Sequence, residues 1–247
     1  MLIELGEVEA VFRYPVKSMA GERLEAADLG WHGFEGDRRL AFRRMDVRSS
    51  FPWLSASKLP DLLLFAPHRD GAQGELPTHI RTPDGETLPA FGEDLAREVA
   101  RRYGAPVEMM QLKHGIFDEA CLSVIAFDTV REISRLAGFG PDVRRFRPNV
   151  LVRALRPEPF QEDEWVGGVL SFGEGDEAPA VAVTMPDVRC SMLNLDPDTA
   201  KPAPEMLKAV VRANQNNAGV YGTVTRTGRV ATGQKVFLIS AEGSESE

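Results

Sequence analysis

Cys190 stands in the run Met185-Pro-Asp-Val-Arg-Cys-Ser-Met-Leu-Asn-Leu-Asp-Pro-Asp198 and is one of only 2 cysteines in 247 residues. A thiol beside Arg189, on a polar stretch that follows an apolar one, has a cation at hand to favour the thiolate, the form that acts as nucleophile or soft-metal ligand. The competing reading is core filling, because free cysteine is among the most commonly buried residue types. Cys121, inside Ala120-Cys-Leu-Ser-Val-Ile125, reads as core. Two cysteines cannot supply the four usual ligands of an iron–sulfur cluster. His32, His68, His79 and His114 show no HxxxH or HExxH spacing, so a structural zinc site is not expected. No Walker loop, GxGxxG or GxSxG motif is present. The remaining chemistry lies in cations: Arg144, Arg145 and Arg147 crowd together, and Lys17, Arg38 and Arg189 occur singly. The formal charge of −8 argues against a nucleic-acid binder. Cations gathered within an acidic chain suit a small anionic ligand, although an arginine cluster also serves as a solvated face.

The elements that must position these groups are mostly strands. Residues 8–16 and 38–44 read as extended, with Leu40 and Phe42 on one side of the second, and glycine turns at 30–33 and 35–37 separate them. Residues 150–152, 168–172 and 180–185 read as further strands, and 220–224 and 230–239 as a closing hairpin or small meander around Arg226-Thr-Gly-Arg229. Residues 59–87 read as strands joined by variable turns. Helices are expected at 93–103, with Leu95, Val99 and Tyr103 on one face and Gly104 as the stop, from Asp128 as cap to about 136, and from Pro204 to about 213. The expected fold class is therefore mainly β (α+β): β-rich barrel-like regions with a few short helices. The chain is long enough to bury a substantial core as one large domain or two intimate ones. No apolar run approaches the roughly 20 residues of a membrane span, and the first residues carry no basic or apolar signal segment, so a cytoplasmic protein is expected.

Six stretches carry a closer likeness. Tyr14-Pro-Val-Lys-Ser18, Gly36-Asp-Arg38, Arg145-Phe-Arg-Pro-Asn149, the run from Arg189 to Asp198, Asn217-Ala-Gly-Val-Tyr221 and Gly228-Arg-Val-Ala-Thr-Gly233 together resemble, in order and over nearly the whole chain, the MOSC family. That family is named for the C-terminal domain of molybdenum cofactor sulfurase and includes the amidoxime reducing components. The resemblance implies an N-terminal β-rich domain over 1–104, a MOSC domain over 105–240, a flexible tail over 241–247, and a molybdenum cofactor (Mo-molybdopterin) between the two packed domains.

It also implies roles. Cys190 would be the catalytic residue and the thiolate ligand of molybdenum, a soft donor for a metal already held by the two dithiolene sulfurs of the pterin. Lys17, Ser18, Arg38, Thr129, Arg147, Asn149 and Arg189 would bind the cofactor. An ammonium and a hydroxyl suit a phosphate or pterin edge, and guanidinium forks engage a phosphate bidentately. Taken singly, Arg38 also reads as an ion pair with Asp37, Asn149 as a turn residue after Pro148, and Thr129 as an ordinary first-turn threonine. The implied activity is reduction of N-hydroxylated or related N-oxygenated small molecules, with electrons from a separate ferredoxin-like or haem protein and its reductase. One alternative is a cofactor carrier or sulfur-transfer protein with a Cys190 persulfide, and another is a binding domain without metal. The sequence departs from the family at Val188 (serine in the amidoxime-reducing relatives), Ser57 (arginine), Met19 and Gln234.

Overall fold

The computed structural model describes residues 2–71 and 74–240, and the expected flexible tail lies outside them. In chain order the elements are β1 (Leu2–Arg13), β2 (Glu22–Leu24), β3 (Ala26–Gly30), β4 (Gly33–Phe34), β5 (Leu40–Arg44), β6 (Ala66–His68), β7 (His79–Arg81), β8 (Thr87–Pro89), α1 (Glu93–Tyr103) and β9 (Val107–Gln111). They continue with β10 (Leu122–Ala126), α2 (Phe127–Ala137), β11 (Val150–Ala154), β12 (Val169–Phe172), β13 (Ala180–Val188), α3 (Glu205–Asn214), β14 (Asn217–Arg226), β15 (Gly228–Ala231) and β16 (Lys235–Ile239).

Seven strands close into a barrel in the order β11-β10-β14-β13-β12-β16-β1, with β1 pairing back onto β11 and β2 appended to β1. The fold is thus mainly β with a closed barrel, as the strand pattern predicts. β1 makes the closure: Leu2–Glu7 pair with β16 and Gly6–Val11 with β11, with a register shift in each ladder that lets the strand bend around the ring. The two backbones meet at Gly6, where a Cβ would lie 2.0 Å from the Arg153 carbonyl oxygen, so only glycine fits. β10 and β11 are the parallel pair of the ring, and α2 is the crossover that parallel neighbours require. Val8, Val11, Val124, Val152, Leu170, Phe172 and Trp165 fill the interior. Closure leaves these strands no free edge.

A second core gathers around β5 and β9, the small sheet β6-β7-β8, and α1. Val16, Met19, Leu40, Phe42, Leu54, Phe65, Ile80, Leu95 and Val99 pack there. α1 is the predicted helix, with Gly104 in the left-handed conformation closing it. α2 and α3 pack against the barrel with Phe12, Tyr14, Ile125, Val130, Phe146, Leu193, Met206 and Val210 between them.

Two local expectations are corrected. Asp128 does not cap α2: Ala126 is the N-cap without a side-chain bond, and Asp128 lies in the first turn paired with Arg131 at 2.7 Å. The last strands do not form a hairpin around Arg226–Arg229. β14 pairs with β10 and β13, β15 leaves to pair with β3, and β16 pairs with β12 and β1. Gly228 makes the switch at φ 152°, where a Cβ would meet Pro179 at 2.9 Å. Apolar periodicity reports which residues face inward but not which strand lies alongside. No helix among the described residues is long and apolar enough to cross a membrane.

Candidate functional site

A cavity of about 380 Å³ opens where the turns of the second core meet the ends of the barrel strands. From the N-terminal side it is lined by Lys17, Ser18, Arg38, Phe51, Ser55 and Ser57, and from the barrel side by Arg145, Arg147, Asp187, Val188, Arg189, Cys190 and Tyr221, with Asp118 and Glu119 from the segment before β10. Six of the eight predicted site residues therefore share one cavity: Lys17, Ser18, Arg38, Arg147, Arg189 and Cys190.

Three of these residues sit on strained backbone. Ser18, Arg38 and Arg147 hold φ of 66°, 50° and 53°, left-handed values that cost a non-glycine residue about 1 kcal/mol or more. The surroundings over-determine them. The Asp37 carboxylate, fully buried, accepts from the Tyr14 amide at 2.7 Å, from Asn149 Nδ2 at 3.1 Å and from the Arg38 guanidinium. Arg38 Nη2 donates to the Arg147 carbonyl at 3.1 Å, which ties the two turns together. The Tyr14 ring lies against both guanidinium groups, 4.7 Å from Arg38 and 4.2 Å from Arg147. Burial pushes the Tyr14 phenol up to about 12, and its hydroxyl has no partner among the described residues.

Asn149 does not line the cavity. Its Oδ1 accepts from the Ser123 amide at 3.1 Å and Arg38 Nη1 at 3.3 Å, and its Nδ2 donates to the Phe12 carbonyl and to Asp37, so the protein uses both ends of the amide. It positions Arg38 from behind. Thr129 is also not among the lining residues: its Oγ1 accepts from the Phe160 amide at 2.7 Å and donates to the buried Glu162 carboxylate at 2.8 Å. A hydroxyl early in a helix belongs to whichever packed neighbour it faces, and here that is the segment after β11.

Most of the cations are already engaged. Lys17 Nζ donates to Asp118 at 2.8 Å and the Ile116 carbonyl at 3.3 Å, while burial pulls the pKa of its ammonium down. Arg145 pairs with Asp196 at 2.6 Å. Arg189 is turned inward onto Asp187 and the Phe146 carbonyl, and its Nε is buried without a partner among the described residues. Arg147 bonds the Met19 carbonyl at 2.7 Å but pairs with no carboxylate among the described residues, and burial pulls it down to about 10.

Cys190 is a free, exposed thiol at the start of the turn Ser191–Asn194. Reciprocal bonds of 2.9 Å between Arg189 and Asn216 fix the backbone beside it. Cys121 is half-buried with its thiol against the Gly222 carbonyl at 3.7 Å, and burial pushes that thiol up. Among the described residues no three His, Cys, Asp or Glu side chains are placed to hold a metal ion, so a metal at Cys190 would have to bring most of its own ligands.

Val188, 63% exposed, and Ser57, whose hydroxyl meets Ser55 at 2.8 Å, both line the cavity, so these departures fall within the site. Met19 is core, and Gln234 accepts from the Ala231 amide at 3.0 Å in a turn. Arg145, one of the clustered cations, lines the cavity, and so do Asp187 and Tyr221, which lie in the singled-out stretches but drew no assignment. Asp118 and Glu119 carried no signal.

Residues 111–237 match the family model described as MOSC domain. Among solved structures, the YuaD protein from Bacillus subtilis aligns over 97% of both chains at 15% identity with a TM-score of 0.53, a likeness of fold. YiiM from Geobacillus stearothermophilus aligns over 49% of this chain and 54% of its own at 17% identity, with a TM-score of 0.38. No curated protein matches the sequence.

Proposed function

The chain belongs to the MOSC domain family, and from that premise we propose that it binds a molybdenum cofactor in this cavity and reduces N-hydroxylated or related N-oxygenated small molecules with electrons from a separate donor protein. The observation that carries the reading is the exposed Cys190 thiol on a cavity that also holds Arg147, a half-buried cation without a carboxylate partner among the described residues. The donor set fits such a group. One soft thiolate matches a metal that arrives already chelated, and Arg147 together with the orphaned Nε of Arg189 matches an anionic, acceptor-rich ligand.

When bound, the molybdenum centre supplies a two-electron couple that no side chain here provides. The chain's own residues do the rest. Cys190 gives the thiolate, and Asn216 and Arg189 hold its turn. Arg147, Arg38, Lys17 and the Ser18 hydroxyl would hold the anionic parts of the cofactor. Asp37 and Asn149 keep Arg38 at the wall. No flavin or iron–sulfur motif is present, which is why the electrons are assigned to a ferredoxin-like or haem protein with its reductase.

The test is molybdenum and pterin content per chain for wild type and Cys190→Ser, purified side by side from a cofactor-producing host. Near-stoichiometric metal in the wild type that is lost from the variant supports the reading, and metal absent from both refutes it. Turnover of an N-hydroxylated compound is expected only with an added donor. A second reading uses the same exposure: a thiol within reach of a macromolecular sulfur donor suits a persulfide carrier. Cyanide-labile sulfur on Cys190 after incubation with a desulfurase, without reductive turnover, would select it.

A further inference from the structure

We propose that Asp187 is the proton donor of this site, delivering a proton to the oxygen that leaves the substrate nitrogen. The inference rests on the reductive function proposed above. Reduction of an N-hydroxylated group consumes two electrons and two protons and yields the N–H product and one molecule of water. The N–O bond breaks and one N–H and one O–H bond form; the electrons come from the external one-electron donor protein, and the protons must pass through the cavity wall.

The wall offers few groups able to give up a proton. An arginine guanidinium does not serve as a proton donor, and the Lys17 ammonium is engaged by Asp118 and the Ile116 carbonyl. Asp118 and Glu119 are exposed to solvent rather than held in the wall. Asp187 differs. It is 2% exposed, lines the cavity, and is the penultimate residue of β13, three before Cys190.

Three elements converge on this carboxyl. Ser123 of β10 donates to its Oδ2 at 2.9 Å, Arg189 pairs with the same oxygen, and the Tyr221 phenol of β14 stands beside it, with the Arg38 charge acting from farther off. The cations and hydrogen bonds favour the charged form, but burial opposes them more strongly and holds the carboxyl's proton affinity above that of an ordinary aspartate. The half-buried Tyr221 phenol, pushed further up, stays protonated. It and the Ser123 hydroxyl, which bonds Asp187, both line the same cavity.

Asp187→Asn and Asp187→Glu tested beside the wild type separate this role from a structural one. All three are purified from a cofactor-producing host, assayed for molybdenum and pterin, and then assayed with an aromatic amidoxime and reduced methyl viologen as electron source across pH. The Asp187 carboxyl is titrated in the wild type by carbon-13 NMR, with the asparagine variant giving the assignment.

Asp187→Asn is expected to keep its molybdenum, to lose about 10²-fold in kcat, and to lose the decline of kcat toward alkaline pH. Asp187→Glu is expected to keep that decline and recover part of the rate, and the wild-type carboxyl to titrate above the ordinary aspartate range. A loaded Asp187→Asn enzyme with unchanged rate and pH profile overturns the inference and leaves the proposed function standing. So does a carboxyl that titrates as an ordinary aspartate. Loss of molybdenum from Asp187→Asn makes the residue structural and also overturns it. A wild type without molybdenum overturns the proposed function itself, and this inference with it.

Discussion

Glu162 offers a sharp test of the packing. Its side chain is fully buried behind the barrel, where Oε2 accepts from Thr129 Oγ1 at 2.8 Å and Oε1 from the Gly219 amide at 3.2 Å, with no cation paired to it among the described residues. Burial pushes its pKa up to about 7 from 4.5, more than these hydrogen bonds pull it down. A carboxyl raised in the folded state contributes its full stability below the unfolded value of 4.5, and that contribution is lost as pH rises through about 7. At about 1.4 kcal/mol per unit, the total loss is about 3 kcal/mol, of which about 2 to 3 falls between roughly pH 5 and 8. The perturbation is Glu162→Gln, which removes the titration. The assay is urea unfolding of both proteins at a series of pH values, with the comparison made on the difference between them, so that the other buried acids, Asp187 included, cancel. Relative to wild type, the variant is expected to gain about 2 to 3 kcal/mol from roughly pH 5 to 8. Parallel curves would refute the reasoning and place the carboxylate in a solvated setting.

Two further outcomes follow from the cavity wall. Arg147→Met removes the cation that no carboxylate offsets and is expected to lower pterin retention by about thirtyfold, the equivalent of one charge-assisted hydrogen bond of about 2 kcal/mol, measured as pterin content after dialysis; undiminished retention would remove Arg147 from the ligand-binding set. Tyr14→Phe deletes a buried hydroxyl with no partner, so urea unfolding is expected to show stability unchanged or raised by about 1 kcal/mol, and a marked loss would mean the hydroxyl is satisfied after all.

What could be read from the sequence and what could not divide along physical lines. α1 was legible because its apolar spacing and closing glycine are both local. Strand locations were legible for the same reason, whereas strand partners were not: β15 departs for β3 because of a close approach at Gly228 that only three dimensions reveal. In the site, Lys17, Ser18, Arg38, Arg147, Arg189 and Cys190 meet as the motif resemblance implied, since short motifs in turns travel with their geometry. Thr129 did not follow because its hydroxyl answers to Glu162, a residue 33 positions away that carries no motif. Asn149 was expected to bind the cofactor, yet its amide is spent on Asp37, Ser123 and Phe12 rather than on the cavity. The sequence gives a residue's type and neighbours along the chain, and saturation of its hydrogen bonds depends on partners elsewhere.

The arrangement of charge explains why the strained turns persist. Each cation of the wall except one has an acid within ion-pair reach: Lys17 has Asp118, Arg38 has Asp37, Arg145 has Asp196 and Arg189 has Asp187. Among the described residues Arg147 stands apart, on left-handed backbone, half-buried, with carbonyl and ring contacts in place of a counter-ion. Folding alone gives no reason to keep an unpaired, half-buried charge on strained backbone, since an apolar side chain there would serve stability better. The bond it does make runs to the Met19 carbonyl, in the turn that carries Lys17 and Ser18, so this guanidinium adds a link from the barrel side to the other core beside the Arg38 bond to the Arg147 carbonyl. An anion bound against Arg147 would supply the missing counter-charge and, through the same side chain, draw the two walls together. Ligand binding and the packing of the two cores would therefore be coupled at Arg147.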